Sequence, residues 1–128
     1  MKLQSLAKRK LVIADDDTDS RVMLAFVLEQ EGWEVREARD GREALEQVLT
    51  EQPDLLILDN RMPELTGAEV YQHLHASGIQ LPVVLVTAYN QVEELASSLG
   101  ISYFINKPYD ITKLLKTIES AYENSPFS

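Results

Sequence analysis

LLILDNRMPELTG, Leu55 to Gly67, carries the reading that decides the fold. It opens on a continuous apolar run, the form taken by a short strand buried on both faces. The run stops at Asp59, NRMPEL follows as a loop, and Thr66 with Glu69 three residues later has the spacing of a capping box that starts a helix. A buried strand that ends in a carboxylate and leads through a loop into a helix is one βα unit, and repeated βα units build a parallel sheet.

The same grammar recurs on both sides. LVIADD (Leu11 to Asp16) lies upstream, and VVLVTA (Val83 to Ala88) and YFINKP (Tyr103 to Pro108) lie downstream. Each run ends in a residue suited to handling a phosphoryl group, and the carboxyl ends of parallel strands share one edge of the sheet, where open α/β proteins build their ligand sites. Between the runs, Met23, Phe26 and Val27 keep helical spacing, and Gly32 ends that helix before the short strand Trp33 to Val35. Asp40 caps a second helix with the stripe Ala44, Leu45, Val48 and Leu49, and Pro53 separates it from the Leu55 strand. A third helix runs from Thr66 toward His75 and stops at Gly78, and Pro82 sits at the start of the next strand. Asn90 with Glu93 starts a fourth helix, whose stripe is Val92, Leu95, Ala96 and Leu99 and whose end is Gly100. Ile111, Leu114, Leu115, Ile118 and Tyr122 mark the last amphipathic helix, and SPFS reads as a frayed tail. Five βα units with helices on both faces of a parallel sheet follow, an α/β architecture narrowed further by the right-handedness of its crossovers.

At 128 residues the chain is sized for one domain, with 45% hydrophobic and 26% charged residues and no repeat or low-complexity segment. There is no cysteine, hence no disulfide framework and no thiolate metal site, which suits a reducing compartment. MKLQSLAKRK lacks the apolar stretch of a secretory signal, and no run reaches membrane-spanning length. The expectation is a cytoplasmic protein that does not engage a membrane. A net charge of −9 argues against direct binding of nucleic acid, whose phosphates repel an acidic surface.

Asp15 and Asp16 follow the first strand and Asp59 the third, so adjacency of those strands gathers three carboxylates. Two like charges about 4 Å apart repel by roughly 4 kcal/mol at an effective dielectric near 20, which protonation or a cation must relieve. Oxygen-only ligation suits Mg2+, with Mn2+ as a substitute. Asp17, Thr18 and Asp19 read instead as the cap of the first helix. Asp59 is the candidate nucleophile, since a carboxylate can attack phosphorus to give an aspartyl phosphate. Lys107 offers a mobile cation and Thr87 a hydroxyl donor for phosphate oxygens. His73 and His75 are assigned to solvated surface, and Trp33 and the methionines to packing.

The acidic pair, LDNRMPELTG, VTA and NKP, in this order, resemble the receiver domain of bacterial two-component response regulators, over nearly the whole chain. The resemblance implies a flavodoxin-like (βα)5 doubly wound fold with strand order 2-1-3-4-5. It implies a receiver domain over 10–122, an N-terminal extension over 1–9 and a tail over 123–128. Asp59 would take phosphate from a histidine kinase or a histidine phosphotransfer protein. Asp16 would bind magnesium directly, Asp15 mostly through water, and the Arg61 carbonyl would complete the protein ligands. Thr87 and the Ala88 N–H would hold phosphate oxygens, and Lys107 would pair with the phosphoryl group. Pro108 matches the family's constrained turn. The family's signalling aromatic falls at Phe104, which lacks a tyrosine hydroxyl, while alternation points Tyr103 to the opposite face; ordinary packing and a switching role both remain open for these two. Arg61 and Tyr89 stand where the family tunes phosphate lifetime, and their bulk implies slow dephosphorylation. A downstream protein or output domain would use the face of helix 4, strand 5 and helix 5.

Two other classes of function compete. Aspartate-dependent phosphohydrolases also use a strand-end nucleophile and magnesium, but generally carry a second acid two residues later, where this chain has Arg61. A phosphate-independent interaction module would not need Asp15, Asp16, Asp59, Thr87 and Lys107 together. The expectation is therefore a signalling switch that catalyses only its own phosphorylation and slow dephosphorylation.

Overall fold

Leu11 and Ile13 pack on one side of the first strand and Val12 and Ala14 on the other, and every one of the four is buried. This two-sided burial repeats along the chain and generates the architecture. The computed structural model describes residues 8–88 and 92–125; Tyr89, the Asn90 helix start, most of the N-terminal extension and the last three residues of the tail lie outside the described residues. The elements are β1 (Arg9–Ala14), α1 (Thr18–Gln30), β2 (Trp33–Ala38), α2 (Gly41–Glu51), β3 (Leu55–Leu58), α3 (Gly67–Ala76), β4 (Val83–Thr87), α4 (Val92–Leu99), β5 (Tyr103–Asn106) and α5 (Ile111–Glu123). The strands are all parallel in the order β2-β1-β3-β4-β5, the flavodoxin-like arrangement that the resemblance implies.

Because side chains alternate along a strand, the sheet has two cores. On one face Val12, Leu56, Leu58 and Leu85 meet Ala44 and Val48 of α2, Val70 and Leu74 of α3, and Val92 and Ala96 of α4. On the other, Leu11, Ile13, Leu55, Ile57, Val84 and Ile105 meet Leu24 and Leu28 of α1 and Leu114 and Ile118 of α5, with Trp33 buried in the same cluster. Local signals bound the helices as their chemistry requires. Asp17, Asp40 and Asp110 accept backbone N–H groups at the starts of α1, α2 and α5, and Thr66 with Glu69 forms the reciprocal capping box of α3. Gly32, Gly78 and Gly100 take positive φ just after helices, the backbone region glycine enters without strain.

Three expectations need correction. Met23 and Phe26 are 61% and 62% exposed, and α1 buries Leu24, Ala25 and Leu28 instead. The segment RVMLAFVL is apolar nearly all round, so periodicity alone does not choose a face. Leu49 is likewise 54% exposed, leaving Ala44 and Val48, with the half-buried Leu45, to carry the contact of α2. β2 extends to Ala38, past the expected Val35. Its Glu34, Arg36 and Glu37 hide the strand in the sequence, because an edge strand tolerates charges that a central one does not. The strands so ordered bring the carboxyl ends of β1, β3, β4 and β5 to one rim.

Candidate functional site

The β1–β3 register sets Ala14 beside Leu58, so the next residues, Asp15 and Asp59, emerge side by side. Asp59 N–H donates to the Ala14 carbonyl at 3.0 Å, and Asp15 N–H to the Ala38 carbonyl at 3.0 Å, which carries the hydrogen bonding one step past the strands. On the other side of β3, β4 pairs with β5, Thr87 against Asn106, and Lys107 N–H donates to the Thr87 carbonyl at 2.9 Å. Lys107 is thereby aimed across the rim. Its ammonium donates to Oδ2 of Asp15 and Oδ2 of Asp59, both at 2.8 Å.

Both acids are held in the same way. Oδ1 of Asp15 accepts the Asp17 N–H at 2.9 Å and Oδ1 of Asp59 accepts the Arg61 N–H at 3.1 Å, each an Asx-type turn, while Oδ2 takes the lysine. Asp15 and Asp59 are only 7% and 6% exposed. Burial raises the Asp59 carboxyl above the usual carboxylate range, although Lys107 and the Arg61 N–H both favour its anion. Burial also works to lower the Lys107 ammonium, but hydrogen bonds and charge attraction from Asp15 and Asp59 outweigh it and hold it above the ordinary lysine range. Asp16 stays exposed, yet one oxygen from each of Asp15, Asp16 and Asp59 falls within 4.8 Å of the others. Three carboxylates against one ammonium leave excess negative charge. Two buried oxygen donors and one exposed one fit a hard divalent cation that keeps part of its water shell.

Thr87 is fully buried at the end of β4, and Ala88 next to it is exposed. Phe104 is half-buried against the core that includes α4, while Tyr103 lies on the α5 side, where its hydroxyl accepts Asn124 Nδ2–H at 3.0 Å. Arg61 is exposed beside Asp59. His73 and His75 are exposed in the last turn of α3, away from the acids. Of the residues read as packing, Trp33 and Met62 are buried and Met23 is not; Met23 instead lines a cleft of about 490 Å³ with Ser20, Ala88, Lys107, Pro108, Tyr109 and Ile111.

Three residues of the site escaped the sequence reading. Arg21 donates from Nη1 to the Asp15 carbonyl at 2.8 Å and from Nε to Glu37 at 2.9 Å, tying α1 to the ends of β1 and β2. No local spacing announces it, because its partners meet only through the topology. Asn60 accepts the Gly67 N–H on its carbonyl and the Ala68 N–H on its Oδ1, clasping the start of α3 to the end of β3. A Cβ on Gly67 would stand 2.5 Å from the Asp59 carbonyl oxygen, so glycine is what permits the clasp, and the pairing of Asn60 with a glycine at a helix start was the available signal. Tyr109 is half-buried near Lys107, with its phenol pushed up by burial.

A family model described as the response regulator receiver domain matches residues 11–119. The chain is 36% identical over 108 residues to the response regulator MprA of Mycolicibacterium vanbaalenii, covering 83% of this chain and 47% of that one. It is 35% identical over 121 residues to an uncharacterized 14.6 kDa protein of Leptolyngbya boryana, covering 91% and 92% respectively. The chain thus spans about half the length of the MprA relatives it matches. Among solved structures, a CheY-like response regulator receiver domain from Methanospirillum hungatei superposes with a TM-score of 0.84 at 27% identity, over 91% of this chain and 95% of that one.

Proposed function

This chain belongs to the response regulator receiver domain family, and from that premise we propose that Asp59 accepts a phosphoryl group from a phosphohistidine and that the resulting change of state alters partner binding. Receiver domains are signalling domains, so the proposed chemistry is confined to the domain's own phosphorylation and slow dephosphorylation. The observation that supports this reading best is the bridge from Lys107 to both Asp15 and Asp59 at 2.8 Å, beside the exposed Asp16. A purely structural ion pair needs one carboxylate; the second and third make a seat for a cation.

Asp15, Asp16 and the Arg61 carbonyl, with Asp59, would hold Mg2+ or Mn2+. When bound, the ion supplies positive charge to offset that of the carboxylate and the phosphoryl oxygens. The chain's own residues supply the rest. The Arg61 N–H holds Oδ1 and the Lys107 ammonium holds Oδ2 of the Asp59 carboxylate. An oxygen of Asp59 forms the bond to phosphorus as the phosphorus–nitrogen bond of the donor breaks, and the imidazole leaves with that electron pair and takes a proton. Lys107 then neutralises a phosphoryl oxygen, and the Thr87 hydroxyl and Ala88 N–H hold the others. Thr87 and Phe104 carry the change of packing toward the face of α4, β5 and α5, where a downstream protein or output domain binds.

A kinase or phosphotransfer partner reaches Asp59 over the rim of α1 and the β5–α5 loop, a reading supported by the cleft lined by Met23 and Tyr109 beside Lys107. The functional unit is 10–122, flanked by 1–9 and 123–128. We place the domain in the cytoplasm, away from membranes and nucleic acid; no helix among the described residues is long and apolar enough to cross a membrane. Arg61 and Tyr89 slow attack by water on the phosphorylated state. Incubation with magnesium and a small phosphodonor should add one phosphoryl group to wild type and none to Asp59→Ala, read by intact mass. Equal labelling of both would overturn the assignment. Arg61→Ala should lose its phosphate several-fold faster than wild type, and an unchanged decay would remove Arg61 from that role.

A further inference from the structure

We infer that Gly41, at the first turn of α2 and outside the acidic cluster, is a positioning residue that fixes the β3–α3 loop and with it the Arg61 carbonyl, setting the domain's affinity for its divalent cation. The inference rests on the functional reading above and adds to it a residue that meets neither phosphate nor metal.

Gly41 is buried, and its N–H donates to the Pro63 carbonyl at 3.2 Å, an oxygen that also receives the Leu65 N–H at 2.8 Å. A Cβ on Gly41 would overlap the Leu65 carbonyl oxygen and stand 2.6 Å from the Leu65 Cβ, so the loop backbone rests directly on the helix start. At its other end the loop is clasped by Gly67, whose N–H bonds Asn60. Arg61 lies between these two glycine contacts, two residues from Pro63. Within the same stretch Glu64 takes a φ of 70°, a left-handed conformation that a non-glycine residue holds only where its surroundings impose it.

If position 41 gains a methyl group, something must move, and α2 is poorly placed to do so. Its N-terminus is locked by Asp40 accepting the Glu43 N–H at 2.8 Å and by the Arg39 N–H donating to Glu43 at 3.0 Å, and Ala44 and Val48 anchor the helix in the core. The loop therefore yields. Its displacement turns the Arg61 carbonyl and strains the Arg61 N–H bond to Asp59. Magnesium demands near-octahedral geometry, so a misplaced oxygen is felt as lost affinity, and changes to groups that orient ligands typically cost about 10–100-fold.

The test is calorimetric titration of the whole chain with magnesium chloride, well below each protein's melting temperature, for wild type, Gly41→Ala and Val48→Ala. Val48→Ala destabilises the same helix two turns away from the loop. The expected result is a dissociation constant raised about tenfold or more in Gly41→Ala and unchanged in Val48→Ala, although both melt at lower temperature. In phosphorylation by a small phosphodonor, Gly41→Ala should need correspondingly more magnesium for half-maximal rate and recover most of the wild-type rate at saturation, a split that simple loss of folded protein does not produce. Should Gly41→Ala not accumulate in folded form, Leu65→Gly removes the Cβ on which Gly41 rests, adds no bulk, and should weaken magnesium binding in the same sense. Wild-type affinity in Gly41→Ala, or in Leu65→Gly where that variant stands in, overturns this inference alone. Absence of magnesium binding by wild type overturns it together with the functional reading.

Discussion

Asp59, the proposed phosphoryl acceptor, is buried at a cost to the unphosphorylated, metal-free fold. Burial holds its carboxyl above the ordinary value of 3.8, so the folded chain binds that proton more readily than the unfolded chain. Between 3.8 and the folded value, stability therefore falls as pH rises, and at neutral pH the protein carries the cost of an ionised, buried Asp59. Asp59→Asn keeps the shape, and Lys107 keeps Asp15 as its partner. With metal chelated at pH 7, the variant should melt a few degrees above wild type, and the gap should close as pH falls through the folded value of Asp59 toward 3.8. A variant that melts below wild type at pH 7 would show that the bond to Lys107 outweighs burial. At this scale the sequence was legible where a residue ends a strand. Asp15, Asp59 and Thr87 stand where apolar runs end, and Asp16 and Lys107 one residue beyond, whereas the contacts of Arg21 and Gly41 are to partners that only the folded topology brings near.

Single elements show where such legibility stops. Caps depend on residues within a turn of one another, so Asp17, Asp40 and the Thr66–Glu69 box could be read directly. The face of α1 could not, because which of its apolar residues is buried depends on how the sheet meets the helix. The observed choice makes a sharp prediction. Leu28, fully buried, should cost about 2–5 kcal/mol when changed to Ala. Phe26, 62% exposed, should change stability by no more than about 0.5 kcal/mol when changed to Ser, despite being the larger side chain. Urea unfolding of the two variants decides between this face and the one that Met23, Phe26 and Val27 would have buried: a severe loss in Phe26→Ser with little in Leu28→Ala would reverse the assignment. β2 is the complementary case, since its charged residues are compatible with an edge strand and so resemble a loop when read alone.

For the molecule as a whole, near-continuous apolar runs gave the parallel sheet, but strand order came only from the family resemblance, since no local property says which strand sits beside which. The structure adds a tie between the two ends of the chain that no motif announces. Arg9, at the start of β1, lies 4.0 Å from the centre of the Trp33 ring and 5.0 Å from that of Tyr122, and its guanidinium donates twice to Glu119 at 2.9 Å. Trp33 and Tyr122 themselves meet edge to face at 5.4 Å. One planar cation thus joins β1, β2 and α5 across 110 residues of sequence. Glu119 is 40% exposed, so the ion pair is partly screened and is worth only about 0.2–1 kcal/mol; contacts with two rings contribute about 0.5–1 kcal/mol each. Arg9→Ala should therefore cost about 1–3 kcal/mol in urea unfolding. Arg9→Lys, which keeps the charge but loses the fork and the flat stacking surface, should recover less than half of that. The ring contribution lies partly shielded from solvent and should persist in high salt, where the Glu119 contribution fades. If Arg9→Lys matches wild type, or if salt abolishes the whole effect of Arg9→Ala, then α5 is held by charge alone and the stacked guanidinium is not what fastens it to the sheet.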